Sequence, residues 1–206
     1  MEMDIEKINK FSTKISETYS SELSRAKSSI CIFLLGCYCK VHKPVLMRLR
    51  KQVVDKKVAC LIAGDLNVKE IDDTELPDYS KKFELICNLI LNSYRRPVPF
   101  IYIPITKAEC GDGAKIELVT LCENPKYEKL KENIILFTED IDTVPHQHKH
   151  LKNPHIGAKD EDDFLAKALG RVKTEINIMS DILTRDEENN HEQNRKAFKP
   201  ENPEGW

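Results

Sequence analysis

The sequence predicts a doubly wound α/β domain, in which helices cover both faces of a parallel sheet. Two observations predict it. Apolar runs of strand length recur along the chain, and each is continuous rather than alternating, as strands buried on both faces require. Between them lie segments whose apolar residues recur at helical spacing, which gives the strand–helix alternation of a parallel sheet. A chain of 206 residues can bury a full core as one domain and leave residues over for tails.

The first run, Ser29 to Gly36, is apolar from Ile30 to Leu35 and ends in glycine. Pro44 then opens a helix, a position where its missing N–H costs nothing. Leu46, Leu49, Val53 and Val54 mark the inner face of that helix, and Arg48, Arg50 and Lys51 the outer one. A second strand, Val58 to Ala63, closes on Gly64-Asp65. After a polar connection, a helix is expected from about Asp78 to Tyr94, with Phe83, Ile86, Cys87, Ile90 and Leu91 inward. The third strand runs Phe100 to Ile105, with Pro99 and Pro104 marking irregular ends. A helix from Gly113 to about Glu123 and a fourth strand, Ile134 to Thr138, follow. A loop rich in histidine and proline leads from Asp140 to Asp160. The last helix spans about Glu161 to Leu183, striped by Phe164, Leu165, Leu169, Val172, Ile176, Met179 and Leu183. The expected organisation is an N-terminal helix or arm over residues 1–24, the α/β domain over 25–184, and a disordered tail over 185–206, where polar residues and two prolines offer little to bury. The architecture is a flavodoxin- or Rossmann-like three-layer sandwich.

Charge and composition exclude several classes. With 32 basic and 34 acidic side chains the net charge is −2, which gives no general attraction for nucleic acid or anionic lipid. No run of about 18 apolar residues points to a membrane span. Met1 to Ser29 lacks the apolar core of a secretion signal. Cys31, Cys60, Cys87 and Cys122 fall inside apolar runs and the cysteine count, 7, is odd, which fits free thiols in a cytoplasmic protein better than a disulfide framework.

The segment Cys110-Gly111-Asp112-Gly113-Ala114-Lys115-Ile116-Glu117-Leu118 follows the third strand as a glycine-bearing loop and a helix start. In open α/β sheets ligands bind beyond the carboxyl ends of the strands, so Glu117 is placed for chemistry. It is equally an early-helix acid favoured by the macrodipole. Gly111 and Gly113 would allow close backbone approach to a ligand, or simply make a turn. The first turn, Gly36-Cys37-Tyr38-Cys39, would form one wall of a pocket, with Lys40, His42 or Lys43 near phosphates; the plainer alternative is a strand-to-helix loop with basic surface residues. Asp65 could bond a ribose hydroxyl or merely shape its turn. Glu84 and Asn88, one helical turn apart, could reach the same site or form a solvated face.

In the order of these pieces the chain resembles the nucleoside 2-deoxyribosyltransferase-like superfamily, which includes nucleotide N-glycosidases and is related to TIR domains. The resemblance rests on Ile32 to Tyr38, Leu61 to Leu66, Phe100 to Ile103 and Gly111 to Leu118, and covers roughly residues 30–138. Cys37 stands where the family's first turn usually has proline, and the helix before the third strand offers Glu84 and Asn88 where many members carry an aspartate. The resemblance implies cleavage of an N-glycosidic bond in a nucleoside, nucleotide or NAD-like substrate. Glu117 would be the catalytic carboxylate, with Gly36, Cys37, Tyr38, Asp65, Glu84, Gly111 and Gly113 around the substrate. It implies no metal or organic cofactor and a possible homodimer. Two alternatives of the same fold are a nucleotide-sensing module without catalysis and a TIR-like effector that consumes NAD or assembles with partners. Cys37-x-Cys39 lacks a second pair for zinc, and His146, His148, His150 and His155 read as a polar loop more readily than as a metal site.

Overall fold

The computed structural model describes residues 5–36, 39–40, 42–62, 78–104, 112–140, 142, 144 and 155–197. Five strands form one parallel sheet: β1 (Ile30–Gly36), β2 (Ala59–Ile62), β3 (Arg96–Ile103), β4 (Ile135–Thr138) and β5 (His155–Gly157). Their order across the sheet is β2-β1-β3-β4-β5. This is the flavodoxin-like arrangement, whose switch point lies between β1 and β3. The helices are α1 (Ile5–Ser28), α2 (Lys43–Asp55), α3 (Asp78–Leu91), α4 (Asp112–Glu123), a short α5 (Glu128–Lys131) and α6 (Glu161–Ala197).

Because side chains alternate along a strand, β1 feeds two cores. Ile30, Ile32 and Leu34 join Phe100, Tyr102 and Phe137 beneath α1, α2 and α6. Phe33 and Leu35 join Ile101, Ile103 and Leu136 beneath α3, α4 and α5. Every residue of β1 and β4 is buried, which is why both read as unbroken apolar runs.

The elements depart from expectation in three places. First, β3 begins at Arg96, so Pro97 and Pro99 lie within it rather than at a ragged end. Arg96 donates its N–H to Ser29 O on the β1 side, so alternate residues, the two prolines included, face the β4 side. β4 pairs only from Phe100 onward, so no ladder bond is lost. Second, His155 to Gly157 forms a short edge strand in register with Leu136 to Thr138, inside what reads as loop. Third, α6 continues through residues 185–197, which the composition assigns to a disordered tail. No glycine or proline interrupts the chain between Leu183 and Pro200, and residues 184–190 are exposed helix on a solvated face. Arg25 of α1 pairs with Glu187, joining that extension to the N-terminal helix. Residues 198–206 lie outside the described residues. Among those described, no helix is long and apolar enough to cross a membrane.

Candidate functional site

Gly36 closes β1 opposite Tyr102 of β3, at the switch point. Its φ of +157° and its surroundings both call for glycine: a Cβ there would sit 3.2 Å from Tyr102 O and 3.3 Å from a Leu46 methyl. Its N–H donates to Glu117 Oε2 at 2.9 Å. Glu117 belongs to the inward face of α4, with Ala114, Leu118 and Leu121, and is 1% exposed. The acid thus occupies a position that helical spacing would otherwise give to a core residue. Burial pushes its carboxyl well above the usual glutamate value of 4.5, and the Gly36 N–H offsets part of that rise.

Glu117 also lines a cavity of about 330 Å³ between α3 and α4, within the size range of small-molecule sites. Phe83 and Tyr127 contribute aromatic surface, Thr120 and Asn124 polar groups, and Glu84 a carboxylate. Glu84 accepts from Lys126 Nζ at 3.1 Å, so it is a paired rim acid rather than a bare solvated one. Burial, with the nearby Cys87 and Glu84, pushes the Tyr127 hydroxyl up to about 12.

Three of the sequence-predicted site residues therefore converge: Gly36 by a hydrogen bond to Glu117, and Glu84 by a shared cavity. Gly113 stands apart. It lies one turn before Glu117, and no heavy atom comes within 4 Å of a Cβ built on it, so packing does not require glycine there. Cys37, Tyr38, Asp65 and Gly111 lie outside the described residues, as do His146, His148 and His150.

The opposite face of the same sheet edge carries groups that sequence reading missed. Tyr102 donates its hydroxyl to Glu139 Oε1 at 2.6 Å and stacks on Phe164 at 4.0 Å between ring centroids. Burial, then the Glu139 hydrogen bond, raises the Tyr102 phenol far above its ordinary value. An acid directly after a strand was the available signal for Glu139, the same signal that drew attention to Asp65. His42, expected near phosphates or else among basic surface residues, is 4% exposed and edge-on to the Tyr102 ring. Its Nδ1 lies 3.2 Å from Cys39 Sγ. Lys40 and Lys43 are exposed. No group of three or more His, Cys, Asp or Glu that could hold a metal occurs among the described residues.

Comparison with protein-family models, curated proteins and solved structures finds no match to this chain. Its functional reading therefore rests on the sheet edge itself.

Proposed function

We propose that the protein is an N-glycosidase or deoxyribosyltransferase-like enzyme that cleaves the N-glycosidic bond of a nucleoside, nucleotide or NAD-like substrate, with Glu117 as its catalytic carboxylate. One observation carries the reading: a buried glutamate, bonded to the backbone where β1 and β3 part, borders a cavity of about 330 Å³. Breaking a glycosidic bond builds positive charge on the sugar and negative charge on the departing base. A carboxyl whose pKa burial raises can pass its proton to that base. The carboxylate left behind, still accepting the Gly36 N–H, then faces the cationic sugar as stabiliser or nucleophile. In this reading the rings of Phe83 and Tyr127 flank the base, and Glu84 meets a sugar hydroxyl. The chemistry calls for no metal or organic cofactor. A homodimer, with a neighbouring subunit completing the pocket, belongs to the same proposal.

A second reading, a nucleotide sensor, is favoured by the 1% exposure of Glu117, which leaves little carboxylate surface for a sugar to touch. The test is incubation with NAD, deoxynucleosides and deoxynucleotides, with released base followed by chromatography and binding by calorimetry. The enzyme reading expects release by the wild type and a loss of at least about 100-fold in Glu117→Gln, with binding retained. Release of nicotinamide alone singles out an NAD-consuming effector. Binding without release in both proteins decides for the sensor, and neither binding nor release refutes both readings.

A further inference from the structure

The groups on the α2 side of the sheet edge play no part in the proposed sugar chemistry, and their arrangement points elsewhere. Cys39 is partly exposed, and its Sγ lies 3.2 Å from Nδ1 of His42. The imidazole is fixed: it is 4% exposed and packed edge-on against Tyr102, whose own hydroxyl is held by Glu139. Cys39 O accepts the N–H of Lys43, which opens the 13-residue helix α2, and no acidic residue occupies the first turn of that helix. The thiol therefore sits beside a fixed imidazole just before the start of α2, and its sequence neighbours Lys40 and Lys43 are exposed. On other elements, the carboxylates of Glu139, Asp160 and Glu161 act on the hydroxyl of Tyr102, whose ring the imidazole packs against.

We infer that Cys39 and His42 form a nucleophilic dyad, and that Cys39 is a site of thiol–disulfide exchange with disulfides of low-molecular-weight thiols. His42 takes the Sγ proton. The thiolate attacks one sulfur of the disulfide R–S–S–R, the S–S bond breaks, Cys39–S–S–R forms, and R–S⁻ leaves and is protonated by solvent. A second thiol reverses the step. The remaining described cysteines have the opposite environment. Burial pushes Cys31 and Cys122 up to about 11 and Cys87 to about 12, and Cys60 is 5% exposed in the core. Thiols so placed are inert. The inference does not depend on the glycosidase reading, since its step uses neither Glu117 nor the cavity between α3 and α4.

The full chain, reduced and freed of reductant, is exposed to oxidised glutathione, and the rate at each cysteine is followed by peptide mass mapping. Cys39 is expected to be modified at least about tenfold faster than a cysteine in an unstructured peptide at neutral pH, where only a few per cent of an ordinary thiol is ionised. The midpoint of its pH–rate profile is expected below the ordinary thiol value of about 8.5, and His42→Asn, which puts a residue favoured at helix N-caps in the N-cap position of α2, is expected to move it back up. A rate at Cys39 no faster than the peptide's overturns the inference, as does faster modification of Cys37 or Cys110. A pH midpoint that His42→Asn leaves in place, with circular dichroism unchanged, overturns the dyad. The rate comparison is made on the wild type, so it decides even where a variant does not fold.

Discussion

Glu117 and Glu175 are each 1% exposed, and they sit at opposite ends of the sheet in opposite electrostatic settings. Glu175 of α6 meets Arg96, which opens β3, at 2.6 Å, and Arg171, one helical turn away, at 2.5 Å. Arg96 also donates to Asn133 Oδ1, which ties β3, α6 and the start of β4 into one network. Two guanidiniums pair with that carboxylate and offset the cost of its burial. Glu117 is met by a backbone N–H, and burial raises its pKa. One acid at the amino end of the strands serves to lock helix to sheet. The other, at the carboxyl end, meets a backbone N–H beside a cavity. Burial alone separates nothing, and what surrounds the carboxylate decides its use.

The largest effect that would sharpen this contrast is expected at Glu175. Glu175→Ala leaves Arg96 and Arg171 facing each other without their anion and should cost about 3 kcal/mol, the low end for a broken buried pair because both arginines are partly solvated. Urea denaturation measures it, and a loss under about 1 kcal/mol would mean that the network contributes no more than a surface pair. Next comes Gly36→Ala, which forces a Cβ against Tyr102 O at a positive φ and should cost about 2 kcal/mol in the same assay. Gly113→Ala, with open space around it, should instead be neutral or stabilise α4 by about 0.5 kcal/mol. Equal costs at the two glycines would contradict the roles assigned to them.

The most diagnostic effect is the pH dependence at Glu117. Its folded pKa lies above the ordinary 4.5, so the folded chain binds this proton more tightly than the unfolded chain. That contribution is complete below about pH 4.5 and is lost as pH rises through the folded value, with a slope of up to about 1.4 kcal/mol per pH unit. Glu117→Gln keeps an acceptor for the Gly36 N–H and should remove this decline while changing stability at low pH by under about 1 kcal/mol. Denaturation at a series of pH values reads both. A decline of the same steepness in the variant would assign it to another group.

Much of the fold was legible because its signals are local. The continuous apolar runs of β1 and β4 and the stripe of α6 each report burial within a few residues of chain. β5 was not legible, since three residues at a sheet edge, half exposed, carry too little apolar signal to stand out from a loop. The extension of α6 failed for a related reason: low hydrophobicity signals lack of burial, which a solvated helix shares with a disordered tail. At the site, Glu117 stood out because a carboxylate opens a helix after the glycine-bearing loop that follows the third strand, and Gly36 because it ends a strand. His42, Tyr102 and Glu139 did not, since each looks like an ordinary turn, core or strand-end residue until the fold brings them together.

By itself the sequence determined the four longer strands, β1 to β4, and the helices between them, because the period of burial is written into neighbouring residues. It also put an acid and a glycine at the carboxyl ends of the strands. Only the tertiary structure decided their partners. Glu117 finds its N–H donor 81 residues away, Arg96 and Glu175 meet across 79, and Tyr102 and Glu139 across 37. At such separations no periodicity links the two partners. Strand order and helix placement alone set the distance that makes one glutamate an ion-pair anchor and leaves the other against a backbone N–H at the rim of a cavity.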